Sequence, residues 1–389
     1  MLPGTVRLAA LPPLSLYVHI PWCVRKCPYC DFNSHEVRGE LPEQSYVDAL
    51  VSDLESALPS IWGRPVQTIF FGGGTPSLLS AHAIDRLLAA VRARVTLVPG
   101  AEVTLEANPG TVEAEKFAGF RDAGVNRLSV GVQSFDPEHL RSLGRIHDAQ
   151  QAHEAIATAQ ACFDSVNVDL MYALPGQVLD EALRDLRTAL SHSPQHLSVY
   201  HLTIEPNTYF HRYPPQVPGD DAAAQMQEAL EALLAAQGYV HYETSAFARP
   251  GFESRHNLNY WGFGDYLGIG AGAHSKISFP DRIVRQMRYK QPREYLRRVG
   301  EGTSVQTQSA VPVNELPFEF MMNAMRLIEG VDPRIFQERT GLPISVVAAR
   351  LRKAEQMGLL EHSIERLRPT LRGQRFLNDL LGLFLDDEA

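Results

Sequence analysis

Short apolar runs alternate with amphipathic segments over the first half of this chain, and this alternation limits its fold more than any other feature. Several of the runs are almost continuously apolar, as strands buried on both faces of a parallel sheet are. The predicted strands are 14–20, 66–71, 102–108, 127–133, 165–174 and 196–204. Segments between them, such as 43–58, 80–95 and 180–192, have the apolar spacing of surface helices. The sequence therefore predicts an α/β fold, an open or incomplete parallel (β/α)6 barrel.

The pattern changes after residue 250, which predicts further units in a chain of 389 residues. We expect the barrel to occupy residues 1–250. A Gly- and aromatic-rich segment and connector then covers 251–312 without a clean period. Short helical patterns from 313 to 389 predict a small, mostly helical C-terminal domain resembling a winged helix.

Composition and charge exclude several classes of protein. No run of about 18 apolar residues is present, so no transmembrane helix is expected. Pro12 and Pro13 interrupt the weakly apolar N-terminal stretch, which argues against a secretory signal. A net charge of −9 argues against a nucleic-acid partner. We expect a cytoplasmic protein, with peripheral contact at the inner face of the membrane left open.

Three of the four cysteines, Cys23, Cys27 and Cys30, lie on one short loop after the first predicted strand. Such crowding favours a metal site in a reducing compartment over a disulfide scaffold. Thiolates suit iron–sulfur clusters or zinc, and zinc would need a fourth ligand such as His19 or His35. Three thiols on a [4Fe–4S] cluster would instead leave one iron open. Cys162, in a predicted helix, is expected to be a core thiol.

The C-x3-C-x-Tyr-C pattern at the end of a first barrel strand resembles the signature of radical S-adenosylmethionine (SAM) enzymes. The resemblance implies that Cys23, Cys27 and Cys30 hold a [4Fe–4S] cluster. It also implies that the open iron binds the amino and carboxylate groups of SAM. Reductive cleavage of SAM then gives a 5′-deoxyadenosyl radical.

Further motifs at the predicted strand ends match the SAM contacts of that family. "GGGTP" resembles the contact to the SAM amino group, and the acid of "LEANP" resembles the one that meets the methionyl group or ribose. A Gly-rich turn, a solvated acid, structural ion pairs and core packing are the alternative interpretations. The predicted SAM contacts are Tyr17, Tyr29, Gly73, Gly74, Thr75, Glu106, Gln133, Arg145 and Asp169.

Residues 14–275 resemble one branch of the family, which contains oxygen-independent coproporphyrinogen III dehydrogenases and HemW-type heme chaperones. The dehydrogenases carry a fourth cysteine two positions after the third, where this chain has Phe32, and an extra N-terminal segment, for which little room precedes Cys23. "HNLNYW" resembles the heme-binding motif of the chaperones, in which a neutral imidazole could ligate iron. The heme contacts predicted from this motif, in a loop after the barrel, are His256, Asn257, Tyr260 and Trp261. A hydrogen-bonded loop histidine is the alternative.

The resemblance implies a heme chaperone that carries a [4Fe–4S] cluster and SAM, and no catalytic residue is assigned. Its implied partners are heme or a porphyrin and heme-acceptor proteins, such as respiratory enzymes or a bacterioferritin, and a homodimer is possible. The alternative is a dehydrogenase that decarboxylates coproporphyrinogen III oxidatively to protoporphyrinogen IX. A radical SAM enzyme acting on RNA or another metabolite is a third, weaker hypothesis.

Overall fold

The computed structural model describes residues 6–111 and 114–385. The strands are β1 (Leu14–Ile20), β2 (Trp22–Cys23), β3 (His35–Glu36), β4 (Val66–Gly73), β5 (Leu97–Ala107), β6 (Arg127–Gln133), β7 (Ser165–Tyr172), β8 (His196–His201), β9 (Val240–Glu243), β10 (Ala246–Ala248), β11 (Asp265–Ile269), β12 (His274–Phe279), β13 (Arg282–Arg288) and β14 (Val305–Ala310). The helices are α1 (Glu43–Ile61), α2 (Ala81–Arg94), α3 (Ala114–Ala123), α4 (Pro137–Ser142), α5 (Ala149–Cys162), α6 (Leu179–Ser191), α7 (Tyr209–Arg212), α8 (Asp220–Ala236), α9 (Arg255–Trp261), α10 (Pro292–Gly300), α11 (Leu316–Ala324), α12 (Pro333–Thr340), α13 (Ala348–Gln356), α14 (Leu371–Arg375) and α15 (Leu377–Gly382).

One sheet of 12 strands organises the described part of the chain, in the order β14-β13-β12-β11-β1-β4-β5-β6-β7-β8-β10-β9. Its central six strands, from β1 to β8 in that order, pair in parallel, and the helices between them pack on the outer face of the sheet. This confirms the predicted parallel (β/α)6 partial barrel. Parallel strands place their carboxyl ends at one edge, which is where the loops after β1, β4, β5 and β6 meet.

Alternate residues of the barrel strands face opposite sides. In β6, Leu128, Val130 and Val132 are buried in the main apolar core. Arg127, Ser129, Gly131 and Gln133, at the intervening positions, line a central cavity. The strands thus have one apolar face under the helices and one largely polar face toward the cavity.

Residues 251–312 have regular structure that the sequence analysis did not predict. They contain α9, α10 and strands β11 to β14; β11 pairs in parallel with β1, and the next three strands continue the sheet in antiparallel fashion. Asp265 stabilises this extension from inside, because its carboxylate accepts from Lys276 Nζ at 2.8 Å and pairs with Arg64 Nη2 at 2.8 Å. The strands of this segment therefore extend the barrel sheet.

The C-terminal region is helical, as predicted, with helices α11 to α15 around a second apolar core. Isolated bridges in this region join Val331 to Leu367 and Leu360 to Pro369. Arg375 of α14 forms a two-pronged ion pair with Glu231 of α8, which ties this region to the barrel. None of the helices in the described residues is long and apolar enough to cross a bilayer.

Candidate functional site

A cavity of about 380 Å³ opens inside the barrel and reaches the loops at the carboxyl ends of the strands. The residues of the predicted site that line it are Cys23, Cys27, Cys30, Tyr29, Gly73, Gly74, Thr75, Glu106, Gln133, Arg145, Asp169 and Asn257. These residues come from separate loops and strands, so the fold brings together most of the residues singled out from the sequence. Tyr17, His256, Tyr260 and Trp261 are not among the lining residues.

The cysteine loop presents three free thiols to this cavity. Arg145 Nη1 lies 3.6 Å from Cys27 Sγ, and Ser34 Oγ lies 3.7 Å from Cys30 Sγ. Lys26 Nζ donates to the carbonyls of Phe32 and Ser34, which closes the loop on itself. Burial raises the pKa of the Cys23 and Cys30 thiols, so a positively charged metal centre would be needed to hold them as thiolates.

The donor set fits a cluster better than a zinc ion. Both ring nitrogens of His19 are engaged, Nδ1 with the Tyr17 hydroxyl at 3.1 Å and Nε2 with the Asn33 carbonyl oxygen at 2.9 Å. His35 Nε2 lies 3.3 Å from Asn33 Oδ1. Within residues 6–111 and 114–385, no three His, Cys, Asp or Glu side chains are grouped to hold a single metal ion. The three thiols therefore have no evident fourth protein ligand.

The Gly-rich turn after β4 lies directly against the cysteine loop. Gly73 has a φ of +112°, and a Cβ there would lie 2.4 Å from His19 Cε1. A Cβ on Gly74 would lie 2.5 Å from the Trp22 carbonyl oxygen, and the Gly74 and Thr75 amides donate to the carbonyls of Ile20 and Trp22, each at 2.7 Å. Only glycine permits this approach, which leaves backbone atoms rather than side chains facing the cavity.

Two carboxyl groups, Glu106 and Asp169, face the cavity from β5 and β7. Burial, and then the nearby Asp169, raise the pKa of Glu106 to about 8, although the Gly73 amide donates to it at 3.3 Å. Asp169 accepts from Ser129 Oγ at 3.0 Å and Asn167 Nδ2 at 2.8 Å, while burial raises its pKa. Because two buried acids face one cavity, a cationic ligand bound there would stabilise their ionised forms.

Gln133 and Arg145 occupy the next positions around the rim. Gln133 ends β6 with a φ of +71°, an uncommon conformation for a residue other than glycine. Arg145 Nη2 donates to the Gly131 carbonyl at 2.5 Å, which holds the guanidinium between β6 and Cys27. An arginine in this position can meet the carboxylate of a ligand bound at the cysteine loop.

The two predicted tyrosine contacts have different surroundings. Tyr29 lines the cavity within the cysteine loop and packs near Phe210. Tyr17 points toward His19 and Phe70, and Gly72 lies against its ring. Tyr17 thus supports the lining residues from behind.

The H-N-x-x-Y-W motif forms the helix α9 and not a loop, which corrects the expectation from the sequence. Ser254 caps it, and the Glu102 carboxylate accepts the amides of Arg255 and His256, each at 3.0 Å. His256 is buried, and its Nδ1 lies 2.8 Å from the Thr68 hydroxyl oxygen.

Helix α9 closes the barrel near the amino ends of its strands. Asn259 Nδ2 donates to Ser15 Oγ at 2.8 Å, and Ser15 and Glu102 both lie near the starts of their pairing regions in β1 and β5. The Tyr260 ring lies against Tyr266, and Arg326 stacks over Trp261. The motif is therefore at the opposite end of the barrel from the cysteine loop. Asn257 is the residue of the motif that lines the cavity.

Sequence analysis missed the polar residues deeper in the cavity. Asn167 Nδ2 also donates to Ser129 Oγ at 2.7 Å, and His196 Nδ1 lies 2.6 Å from Asn167 Oδ1. The lining residues of this group are Arg127, Ser129, Asn167, His196 and Ser198. The sequence pattern that could have identified them is the period of two in β6, β7 and β8, where polar residues recur at every second position.

Comparisons with known proteins agree with this geometry. The model of the Radical SAM superfamily matches residues 17–189, and that of the HemN C-terminal domain matches 311–376. The chain is 51% identical over 381 residues to "Heme chaperone HemW" of Escherichia coli (strain K12), covering 97% of this chain and all of that protein. It is 33% identical over 383 residues to the protein of the same name from Bacillus subtilis (strain 168), covering 96% and 99%.

A solved structure is similar over nearly the whole chain. The coproporphyrinogen III oxidase HemN from Escherichia coli, described as a radical SAM enzyme, superposes with a TM-score of 0.82 at 25% identity. The match covers 96% of this chain and 90% of that one. The barrel, the sheet extension and the C-terminal helices are thus shared with that protein.

Proposed function

The chain belongs to the radical SAM superfamily and, within it, to the HemW heme chaperones, and from this we propose that it binds heme and transfers it to acceptor proteins. The observation that carries the proposal is the extent of the similarity, 51% identity over the full length of a heme chaperone. The cavity supports it, because one barrel edge carries the three thiols and the polar residues expected of this family.

We assign the [4Fe–4S] cluster to Cys23, Cys27 and Cys30, whose free thiols share the cavity. When bound, the cluster would supply an electron to SAM. The chain's own residues would orient SAM: the backbone of 73–75 approaches closely, and the inward carboxyls and the Arg145 guanidinium offer groups of both charges. The proposed SAM contacts are Tyr29, Gly73, Gly74, Thr75, Glu106, Gln133, Arg145 and Asp169, and Tyr17, also predicted from the sequence, would act from behind them through His19 and Gly72.

For heme, the proposed contacts are those of α9, with His256 as the iron ligand and Asn257, Tyr260 and Trp261 beside the porphyrin. Burial lowers the pKa of His256 to about 3, so its imidazole is neutral at physiological pH, the form that binds iron. The Nδ1 atom is engaged with Thr68, which leaves Nε2 as the coordinating atom.

The proposed acceptors are heme proteins such as respiratory enzymes or a bacterioferritin. We propose that transfer takes place in the cytoplasm, at the inner face of the membrane, and that a homodimer is the working form. In this account the cluster and SAM regulate transfer.

Anaerobic titration of the cluster-loaded protein with hemin, followed by absorbance, tests the function. We expect saturable binding that His256→Ala weakens. His139→Ala is the matched control, because His139 is also buried and hydrogen-bonded but lies on α4, away from α9. If neither variant changes hemin binding, a residue other than His256 is the iron ligand. If the protein shows no saturable binding, the chaperone function is contradicted.

The similarity to HemN favours one further candidate, oxidative decarboxylation of coproporphyrinogen III. Phe32, at the position of the dehydrogenases' fourth cysteine, is 57% exposed and lines the cavity. Anaerobic incubation with coproporphyrinogen III, SAM and a reductant would yield protoporphyrinogen IX if this candidate were correct, and we expect none.

A further inference from the structure

Arg127 is a buried cation without a partner on the inner surface of the barrel. It begins β6, is 4% exposed and lines the cavity. Its Nε atom is buried without a hydrogen-bond partner, and within residues 6–111 and 114–385 no carboxylate lies within ion-pair distance of its guanidinium. Other buried cations of the fold differ, since Lys276 pairs with Asp265 and Arg288 with Asp53.

The acids near Arg127 are committed to other groups. The charge of Arg127 acts to lower the pKa of Asp169, but the hydrogen bonds of that carboxylate come from Ser129 and Asn167, and Glu102 accepts two amides of α9. The charge of Arg127 also acts on the pKa values of His196, His256 and Tyr242. Burial favours the neutral form of each of these side chains. The positive charge of Arg127 is therefore not neutralised by a direct contact within the described part of the chain.

Leaving a cation buried and unpaired is costly, so such a group is expected to gain an anionic partner in the working state. A guanidinium is suited to a carboxylate, which it can bind through two parallel hydrogen bonds. The position is separate from the cysteine loop: Arg127 lies four residues before Gly131, the partner of Arg145, or about 13 Å along an extended strand.

We propose that Arg127 forms a carboxylate-binding subsite deep in the barrel cavity and, resting on the proposed function, that it receives a propionate of heme. Asn167 and Ser198 line the same region, but their donors already serve Ser129, Asp169 and each other, so the Arg127 guanidinium is the group that would meet the carboxylate. The heme edge that carries the propionates would then enter the cavity, and the subsite would select tetrapyrroles with free acid groups.

The test compares hemin with hemin dimethyl ester, whose propionates carry no charge, on cluster-loaded protein. The wild type should bind hemin at least about tenfold more tightly than the ester, because hydrogen bonds to charged groups are strong. Arg127→Met should lose this preference, and Arg127→Lys should keep part of it. Arg127→Met should also raise the melting temperature of the ligand-free protein, a result that a purely structural arginine would not give.

The outcomes separate this subsite from the proposed function. If the wild type shows no saturable hemin binding, both fail. If it binds hemin and Arg127→Met keeps the wild-type preference over the ester, the subsite alone is overturned. Weaker SAM binding by Arg127→Met with an unchanged preference for hemin would also overturn it, because Arg127 would then belong to the SAM site.

Discussion

At the scale of single residues, the four cysteines have different surroundings. Cys23, Cys27 and Cys30 line the cavity, whereas Cys162 ends α5 and packs against the main core. All four are free thiols of intermediate exposure, so Cys162 is a matched internal control.

Serine substitutions should therefore separate the two kinds of cysteine. Cys23→Ser, Cys27→Ser and Cys30→Ser should each lose most of the iron and sulfide after anaerobic reconstitution, because a cluster held by two thiolates lacks a ligand. Cys162→Ser should keep the wild-type content. Iron and sulfide analysis measures this, and a full complement in any of the first three variants would contradict the cluster assignment.

Glu106 should make SAM binding depend on pH. Its pKa of about 8 means that the acid is mostly protonated at neutral pH and must ionise to stabilise the sulfonium cation. SAM affinity should therefore rise with pH up to about 8, by up to about tenfold per pH unit. Anaerobic calorimetry at several pH values measures the slope.

Glu106→Gln should weaken SAM binding and remove this slope. Glu205→Gln is the control, because Glu205 also lines the cavity but lies beyond the end of β8. A slope retained by Glu106→Gln would show that another group controls the pH dependence.

The rim of the site could be predicted because its residues belong to short motifs with unusual composition, such as "GGGTP" and the cysteine loop. The deeper residues Arg127, Asn167 and His196 could not be assigned in the same way. Each is an ordinary polar residue on a strand, and only closure of the sheet brings the three together. The period-two pattern indicates that they share one face, but not that this face surrounds a cavity.

At the scale of elements, the sheet extension depends on Asp265. Its carboxylate also accepts from the amide and hydroxyl of Ser278, at 2.8 Å each, so one side chain joins β11 to β12. Lys276 is 1% exposed and depends on the same carboxylate for charge compensation. The start of this extension thus rests on one buried carboxylate that serves residues 11 and 13 positions further along the chain.

Asp265→Asn should leave Lys276 buried without its anion. The expected loss in the free energy of unfolding is about 3–5 kcal/mol, as for other broken buried ion pairs. Asp281→Asn, which removes an exposed partner of Arg282, should cost less than about 1 kcal/mol. Urea titration of both variants measures the difference, and equal losses would contradict the role of Asp265.

Element type was hardest to predict where local signals were weak. Helix α9 has only seven residues, and the Glu102 carboxylate that stabilises its start lies about 150 positions earlier in the chain. A six-residue motif rich in aromatics resembled a loop for that reason. The six barrel strands were predicted because their apolar runs identify them without help from distant residues.

At the scale of the whole molecule, two apolar cores share one sheet. The main core includes Ile277 and Tyr295, and the second includes Phe263 and Ile283, so residues 251–312 contribute to both. Boundaries at 250 and 312, inferred from changes in sequence pattern, separate segments that the sheet joins. The predicted domain limits therefore stay a prediction. A change in sequence pattern indicates a change in local structure, but it does not indicate the order of the strands in the sheet.

Several buried histidines should make the folded protein sensitive to acid. Burial lowers the pKa of His147 to about 4 and that of His256 to about 3. Between about pH 4 and about 6.5 the unfolded chain binds protons at these rings that the folded chain does not. The free energy of unfolding should therefore fall as the pH is lowered through this window.

His147→Gln should flatten the pH dependence by up to about 3 kcal/mol between pH 6.5 and pH 4, because glutamine can donate to the Val132 carbonyl without titrating. His362→Gln is the control, since the His362 side chain is 90% exposed. Urea titrations at several pH values measure the effect. An unchanged slope for His147→Gln would contradict the assignment.

Heme transfer is the most direct test of the account. Cluster-loaded protein carrying one heme would be mixed anaerobically with membranes whose respiratory enzymes have been depleted of heme, and the acceptor's heme spectrum would be followed with time. We predict that the loaded protein restores the acceptor faster than free hemin at the same concentration, and that His256→Ala does not. Restoration no faster than with free hemin would contradict the proposal that this chain is a heme chaperone.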